Sequence, residues 1–147
     1  MVIDFEKIAE AHLEGFKGGK GKLDTRNFVD DKVKIMYSTL RPGATTGLHT
    51  HEGNCEVVFV ISGTATFHYD DSVEEVRAGQ VHYCPMNHAH YMENLTDHDL
   101  VYLAIVPEHH KSTPKNGKKR IRRSQQALVR REGSRGRRTG LAPWHLL

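Results

Sequence analysis

The chain has 147 residues, a length that suits one domain, with or without a tail, rather than a multidomain enzyme. Hydrophobic residues make up 37% of it, and no apolar stretch approaches the roughly 18 residues of a membrane-spanning helix, so we expect no such span. Residues 111–147 hold 12 of the 21 Lys and Arg residues and one of the 18 acidic ones, so an acidic body precedes a basic tail. The acidic start MVIDFEKIAE is unlike a signal peptide, and two cysteines without a CxxC motif fit a reducing compartment, so we expect a cytoplasmic protein.

The first predicted element is a short helix in an N-terminal arm, residues 1–32. Asp4 is a suitable N-cap, and apolar side chains follow it at helical spacing. The Gly-rich segment FKGGKGK comes next, and we interpret it as a loop because glycines make continuation of a helix costly. The helical positions are Phe5, Ile8, Ala9, His12, Leu13 and Phe16.

Short apolar runs with period-two alternation fill residues 33–107, and they predict an all-β domain. Evenly spaced strands without helices between them favour an antiparallel sandwich or barrel over a βαβ fold. Ser62-Gly63 and Asp70-Asp71 are typical of hairpin turns. The eight predicted strands are VKIMYSTL, GLHTH, EVVFVIS, TATFHYD, VEEVR, QVHYC, AHYME and LVYLAIV.

Residues 108–147 form a basic C-terminal tail that we predict to be disordered, since it has little with which to build a core. Three interpretations stay open. The tail binds nucleic acid or another polyanion, or it is a solvated arm, or it is an extension outside the functional unit. The last two are favoured because Trp144 is the one aromatic residue available to stack on bases.

Histidines occur at spacings typical of metal coordination in the motif Gly43-x5-His49-x-His51-x4-Glu56-x6-Gly63. Residues two apart on a strand face the same side, so His49 and His51 project together. Glu56 opens the next strand among apolar residues, and a buried carboxylate needs a partner. Two imidazoles and a cation provide one, and this donor set suits a divalent transition metal better than calcium or magnesium.

A second motif, Gly79-x5-Pro85-x-Asn87-x2-His90-x3-Asn94, contributes a third imidazole from a distant strand. Together with the first motif, His90 would complete a set of three histidines and one glutamate. Such a set leaves coordination positions open for water, substrate or dioxygen. Open positions are what Lewis-acid or redox chemistry requires, whereas structural metal sites are normally closed by four protein ligands.

With these two motifs, residues 33–107 resemble the single-domain cupins. Every fixed position of the family pattern is matched except Asn87, where the family usually has Gly. Asn tolerates the left-handed conformation that Gly would adopt there, so we expect the turn to keep the family's conformation. The resemblance implies an antiparallel β-barrel of jelly-roll type and a homodimer. It also implies one divalent ion (Fe, Mn, Ni, Zn or Cu) held by His49, His51, Glu56 and His90.

For function, the resemblance implies an enzyme that dioxygenates, decarboxylates or isomerises a small acid, thiol or sugar. The alternative is a non-catalytic module that binds or senses a small ligand, since a fold does not decide function. No general base can be named. His88, two residues before His90, is a candidate to hydrogen-bond to a metal ligand or carry a proton. We interpret His82 as a cross-strand partner, and Cys55 and Cys84 as buried, inert thiols.

Overall fold

The structure, a computed structural model, describes residues 1–109. The predicted basic tail lies outside the described residues except for its first two positions, 108 and 109. The predictions of disorder and of polyanion binding therefore concern residues that the structure does not describe. No helix in the described part of the chain is long and apolar enough to cross a membrane.

Residues 1–109 fold into two antiparallel β-sheets. One sheet has six strands in the order β1-β2-β3-β10-β5-β8, and the other has four in the order β4-β9-β6-β7. All eight strands predicted from the sequence are confirmed. The strands are β1 (Ala11–Glu14), β2 (Lys22–Val29), β3 (Val33–Leu40), β4 (His49–Thr50), β5 (Glu56–Ser62), β6 (Thr64–Tyr69), β7 (Ser72–Arg77), β8 (Val81–Cys84), β9 (Ala89–Glu93) and β10 (Leu100–Pro107).

The predicted N-terminal helix is wrong. Asp4 does cap a turn, accepting a hydrogen bond from the Glu6 N–H, but the turn is a 3₁₀ helix that ends at Lys7. Residues Ala11–Glu14 instead form β1, which pairs with β2. Pairing along a sheet edge satisfies the backbone of this segment, and tertiary context of this kind commonly overrides a weak helical pattern.

Strand β2 was missed in the sequence analysis because most of its buried positions are polar. Thr25 and Asn27 are buried on the same face as the apolar Leu23, and Asp24 is buried on the other face. Thr25 Oγ1 lies 2.6 Å from Asn27 Oδ1 and 2.7 Å from Oγ of Ser38 on β3, so these buried groups satisfy one another. A strand whose inner face carries paired polar groups has no apolar alternation to reveal it.

Of the two predicted hairpin turns, one is confirmed and one is wrong. Asp70-Asp71 joins β6 to β7 as a hairpin, as predicted. Ser62-Gly63 is not a hairpin turn, because β5 and β6 belong to different sheets. Gly63 has a φ of +85°, and a Cβ there would lie 2.6 Å from the Asp99 carbonyl oxygen, so the crossing depends on glycine. Asn87 has a φ of 71°, which confirms the left-handed conformation expected of it.

The core lies between the buried faces of the two sheets. Alternate residues of β10 are buried, and Phe67 of β6 is 1% exposed. The outer face of the six-stranded sheet is also apolar. Phe59 pairs with Leu103 on one side and with Val81 on the other, and it remains 40% exposed.

Candidate metal centre

The four predicted ligands come from three neighbouring segments. His49 and His90 are directly opposite each other in the β4–β9 pair. His51 follows β4, and its backbone is tied to the turn before β9, because its N–H donates to the His88 carbonyl and its carbonyl accepts from the Asn87 N–H. Glu56 is the first residue of β5. The left-handed Asn87 thus helps to place His51.

The side chains of these residues converge on one point. The Nε2 atoms of His49 and His51 are 3.1 Å apart, those of His51 and His90 3.0 Å, and those of His49 and His90 3.1 Å. The Glu56 Oε2 atom lies 2.7 Å from Nε2 of His90, 3.1 Å from that of His51 and 3.9 Å from that of His49. The structure therefore brings together all four residues selected from the sequence.

Each histidine engages its other ring nitrogen elsewhere. Nδ1 of His49 lies 2.7 Å from the Gly47 carbonyl oxygen, and Nδ1 of His51 lies 2.8 Å from Oδ1 of Asn54. Both partners are acceptors, so both Nδ1 atoms carry hydrogen, and Nε2 is the ring nitrogen that each histidine directs at the cluster. Nδ1 of His90 lies 2.9 Å from Nε2 of His82.

The electrostatics favour an anionic carboxylate beside a neutral imidazole. Burial alone would raise the pKa of Glu56, but the rings of His49, His51 and His90 around its carboxylate outweigh burial and hold that pKa well below its ordinary value. Burial lowers the pKa of His90 despite the opposing interaction with Glu56. A metal ligand must be deprotonated in this way, so both groups are suited to coordination.

The donor set fits a divalent transition metal. Donors 3.0–3.1 Å apart can all lie about 2.1 Å from a single ion. Lone pairs that converge beside a carboxylate repel one another unless a cation lies between them. The side chains of His51, Glu56 and His90 are buried, whereas that of His49 is 19% exposed, so solvent reaches the cluster from the His49 side.

Residues 36–106, which include all four of these donors, match the family described as the cupin domain. The chain belongs to the cupin family. An oxalate-binding protein of Thermotoga maritima is 28% identical to this cupin over 112 residues, covering 72% of this chain and 93% of that protein.

Solved structures agree with that assignment. A predicted oxalate decarboxylase from Thermotoga maritima superposes on the cupin with a TM-score of 0.69 at 27% identity, covering 74% of this chain and 99% of that one. A structure of Bacillus subtilis oxalate decarboxylase, described for its Mn(II) centres, has a TM-score of 0.52 at 31% identity. The match covers 63% of the cupin but 27% of that chain, so the decarboxylase is much the longer protein.

His88 lies beside the cluster without a side-chain hydrogen bond to its ligands among the contacts of residues 1–109. Its Nδ1 is 2.5 Å from Oδ2 of Asp70 and 3.2 Å from the Tyr69 hydroxyl. The His88 side chain is 43% exposed. His82, interpreted from the sequence as a cross-strand partner, does contact a candidate ligand, because its Nε2 lies 2.9 Å from Nδ1 of His90.

Lys17 is a residue near the centre that the sequence analysis missed. It lies in the 3₁₀ turn Phe16–Gly18, which packs on the segment before β4: the Gly47 N–H donates to the Phe16 carbonyl, 2.9 Å away. Burial lowers the pKa of Lys17 to about 8, and the charge of Glu56 opposes that shift. No pattern within FKGGKGK indicates this packing.

Cys84 forms a second cluster with His82 and His90. Burial raises the pKa of the Cys84 thiol to about 12, which disfavours the thiolate that a metal requires. The ring nitrogens of His82 and His90 that face each other are already hydrogen-bonded. This cluster is therefore part of the packing behind the centre, and burial likewise raises the pKa of Cys55.

Proposed function

We propose that this cupin binds one divalent transition-metal ion through His49, His51, Glu56 and His90 and takes oxalate, or a similar small dicarboxylate, as its ligand. The convergence of three imidazole Nε2 atoms and one carboxylate within hydrogen-bonding distance carries the metal proposal. Manganese is the first ion to test, because a related decarboxylase has Mn(II) centres. A bound ion would supply Lewis-acid chemistry by polarising a carboxylate oxygen.

The choice of a dicarboxylate rests on charge and on the relatives. A metal ion offset by one carboxylate, Glu56, retains positive charge that attracts an anion. The Lys17 ammonium adds a second positive charge, which interacts with the charge of Glu56. The oxalate-binding relative aligns over almost its whole length with this chain.

Calorimetric titration of oxalate tests the proposal. We expect binding to the Mn²⁺-loaded protein and none after treatment with EDTA. Lys17→Met should weaken oxalate binding about 10-fold, which is about 1.4 kcal/mol, and leave Mn²⁺ binding unchanged. Lys20→Met, which removes an exposed lysine from the same segment, is the matched control. Oxalate binding that is equal with and without metal would contradict the proposal.

Decarboxylation is a second candidate, favoured by the similarity to an oxalate decarboxylase. Oxalate would lose carbon dioxide, and the remaining carbon would take a proton to give formate. Nuclear magnetic resonance of ¹³C-oxalate incubated with Mn²⁺-loaded protein distinguishes the two functions. Formate produced by wild type and absent with His51→Ala supports the enzyme. Oxalate that binds and stays intact establishes the binding module.

We also propose that two copies associate through the outer face of the six-stranded sheet. Phe59, Val81 and Tyr83 are 40%, 53% and 55% exposed and lie on adjacent strands, an apolar surface typical of an interface. Light scattering of the full chain should give the mass of a dimer, and Phe59→Asp should give that of a monomer. A monomeric wild type would contradict this proposal.

A further inference from the structure

A chain of three side chains leads from the protein surface to the metal centre. Oε2 of Glu74 on β7 lies 2.9 Å from Nδ1 of His82 on β8. Nε2 of His82 lies 2.9 Å from Nδ1 of His90 on β9. Nε2 of His90 then faces the cluster. Neither Glu74 nor His82 belongs to the metal centre described above.

The chemistry of Glu74 fixes the direction of this chain. A carboxylate only accepts, so the hydrogen on His82 must be on Nδ1. The Nε2 of a neutral His82 is then an acceptor, and it takes the hydrogen of His90 Nδ1. That hydrogen bond leaves the His90 Nε2 lone pair for a cation, which would be bound jointly by this nitrogen and by the Glu56 carboxylate 2.7 Å away. Ring orientation of this kind, imposed by an outer carboxylate, is what metal-binding histidines commonly require.

The surroundings hold the two rings in place. His82 is 1% exposed and His90 is 2% exposed, so water does not compete for their hydrogen bonds. The Phe67 ring stacks on His82 with ring centroids 3.9 Å apart and an interplanar angle of 15°. The His82 and His90 rings are themselves inclined by only 22°. Glu74, whose side chain is 43% exposed, is the solvent-exposed end of this chain of contacts.

We propose that Glu74 and His82 are positioning residues that set the hydrogen-bond direction of His90, so that its Nε2 is presented to the metal ion and donates to it more strongly. This inference rests on the proposed metal site. It adds two residues that determine metal affinity and that lie outside the set of four ligands.

Glu74→Gln is the decisive variant because Gln keeps the size and an acceptor oxygen but can also turn its amide and donate. The chain then loses its fixed direction, and a fraction of His90 rings place hydrogen on Nε2. We expect Mn²⁺ affinity to fall roughly 10-fold. Glu75→Gln is the matched control on the same strand, since Glu75 is exposed and hydrogen-bonds to Arg77, away from this chain of contacts.

His82 offers a rescue test. His82→Leu leaves His90 Nδ1 without an acceptor, and we expect a loss of Mn²⁺ affinity approaching 100-fold. His82→Gln supplies an oxygen acceptor again and should recover part of that loss. Thermal unfolding of the metal-free variants separates folding defects from positioning: equal loss of affinity in both variants, in proportion to lost stability, would overturn the proposal.

Nitrogen-15 spectra of the metal-free protein give a readout that does not depend on metal binding. In wild type, the Nδ1 atoms of His82 and His90 should both carry hydrogen, and in Glu74→Gln the His90 Nδ1–H signal should weaken. Unprotonated Nδ1 atoms in wild type would overturn the proposal, and so would an unchanged spectrum together with unchanged affinity in Glu74→Gln. If wild type bound no Mn²⁺, the proposed function would fail, and the spectra would still decide how His90 is oriented.

Discussion

Phe67 supports both the core and the metal centre, so Phe67→Ala is the sharpest test of the packing. Its side chain is 1% exposed and stacks on His82, with a second stacking contact to His90 at 5.9 Å between ring centroids. Truncating a fully buried Phe to Ala costs about 3–5 kcal/mol, because transfer free energy is lost and a cavity remains. For a domain of this size, each kcal/mol of lost stability lowers the midpoint of thermal unfolding by roughly 4 °C or more. The midpoint of Phe67→Ala should therefore fall by about 12 °C or more.

The assay is urea and thermal unfolding in EDTA, so that metal binding does not mask the difference. Val73→Ala on β7 is the control, because Val73 is 65% exposed and its truncation should change stability by less than about 0.5 kcal/mol. With Mn²⁺ present, Phe67→Ala should also show weaker metal binding, since the rings it supports lead to the centre. A loss of stability below about 1 kcal/mol would refute the packing described for Phe67.

Two further predictions concern other contacts. The hydrogen bond with His12 outweighs burial and, with the Arg41 contacts, lowers the pKa of Asp24 in the folded state. The ionised Asp24 therefore contributes fully to folding stability above the pKa of an unfolded Asp, near 3.9. This contribution is lost as the pH falls through the lower pKa of Asp24 in the folded state. Asp24→Asn should cost about 2 kcal/mol at pH 7 and flatten the loss of stability below about pH 5 in urea titrations; an unchanged slope would contradict the assignment. In Gly47→Ala the new Cβ would lie 1.6 Å from the Lys17 carbonyl oxygen, so the turn must move. Calorimetry should then show oxalate affinity falling more than Mn²⁺ affinity, and an equal fall in both would contradict the role given to Lys17.

The cluster of candidate ligands could be predicted from the sequence because the placement of these residues follows from local rules. Period-two geometry puts His49 and His51 on one side, and the motif spacing carries Glu56 to the start of β5 and His90 to β9. The eight strands from β3 to β10 were likewise predicted from short apolar runs with period-two alternation. The left-handed Asn87 was predicted from the side chain alone.

The features that the sequence analysis missed depend on contacts between segments distant in the chain, which no local pattern encodes. Strand β2 shows no apolar alternation because its buried polar groups are satisfied by Ser38, a partner on the neighbouring strand. Glu74 meets His82 only through the packing of separate strands, and Lys17 nears the centre only because its turn packs on Gly47. The N-terminal helical pattern failed for the same reason, since pairing with β2 decides that segment.

The central claim is one metal ion per chain, held by His49, His51, Glu56 and His90. Elemental analysis tests it most directly, on protein purified without chelator or affinity nickel and then equilibrated with Mn²⁺. We expect close to one equivalent in wild type and in His98→Ala, whose exposed side chain lies away from the centre, and almost none in the His49→Ala, His90→Ala double variant. Equal metal in the double variant, or no metal in wild type, would contradict the account.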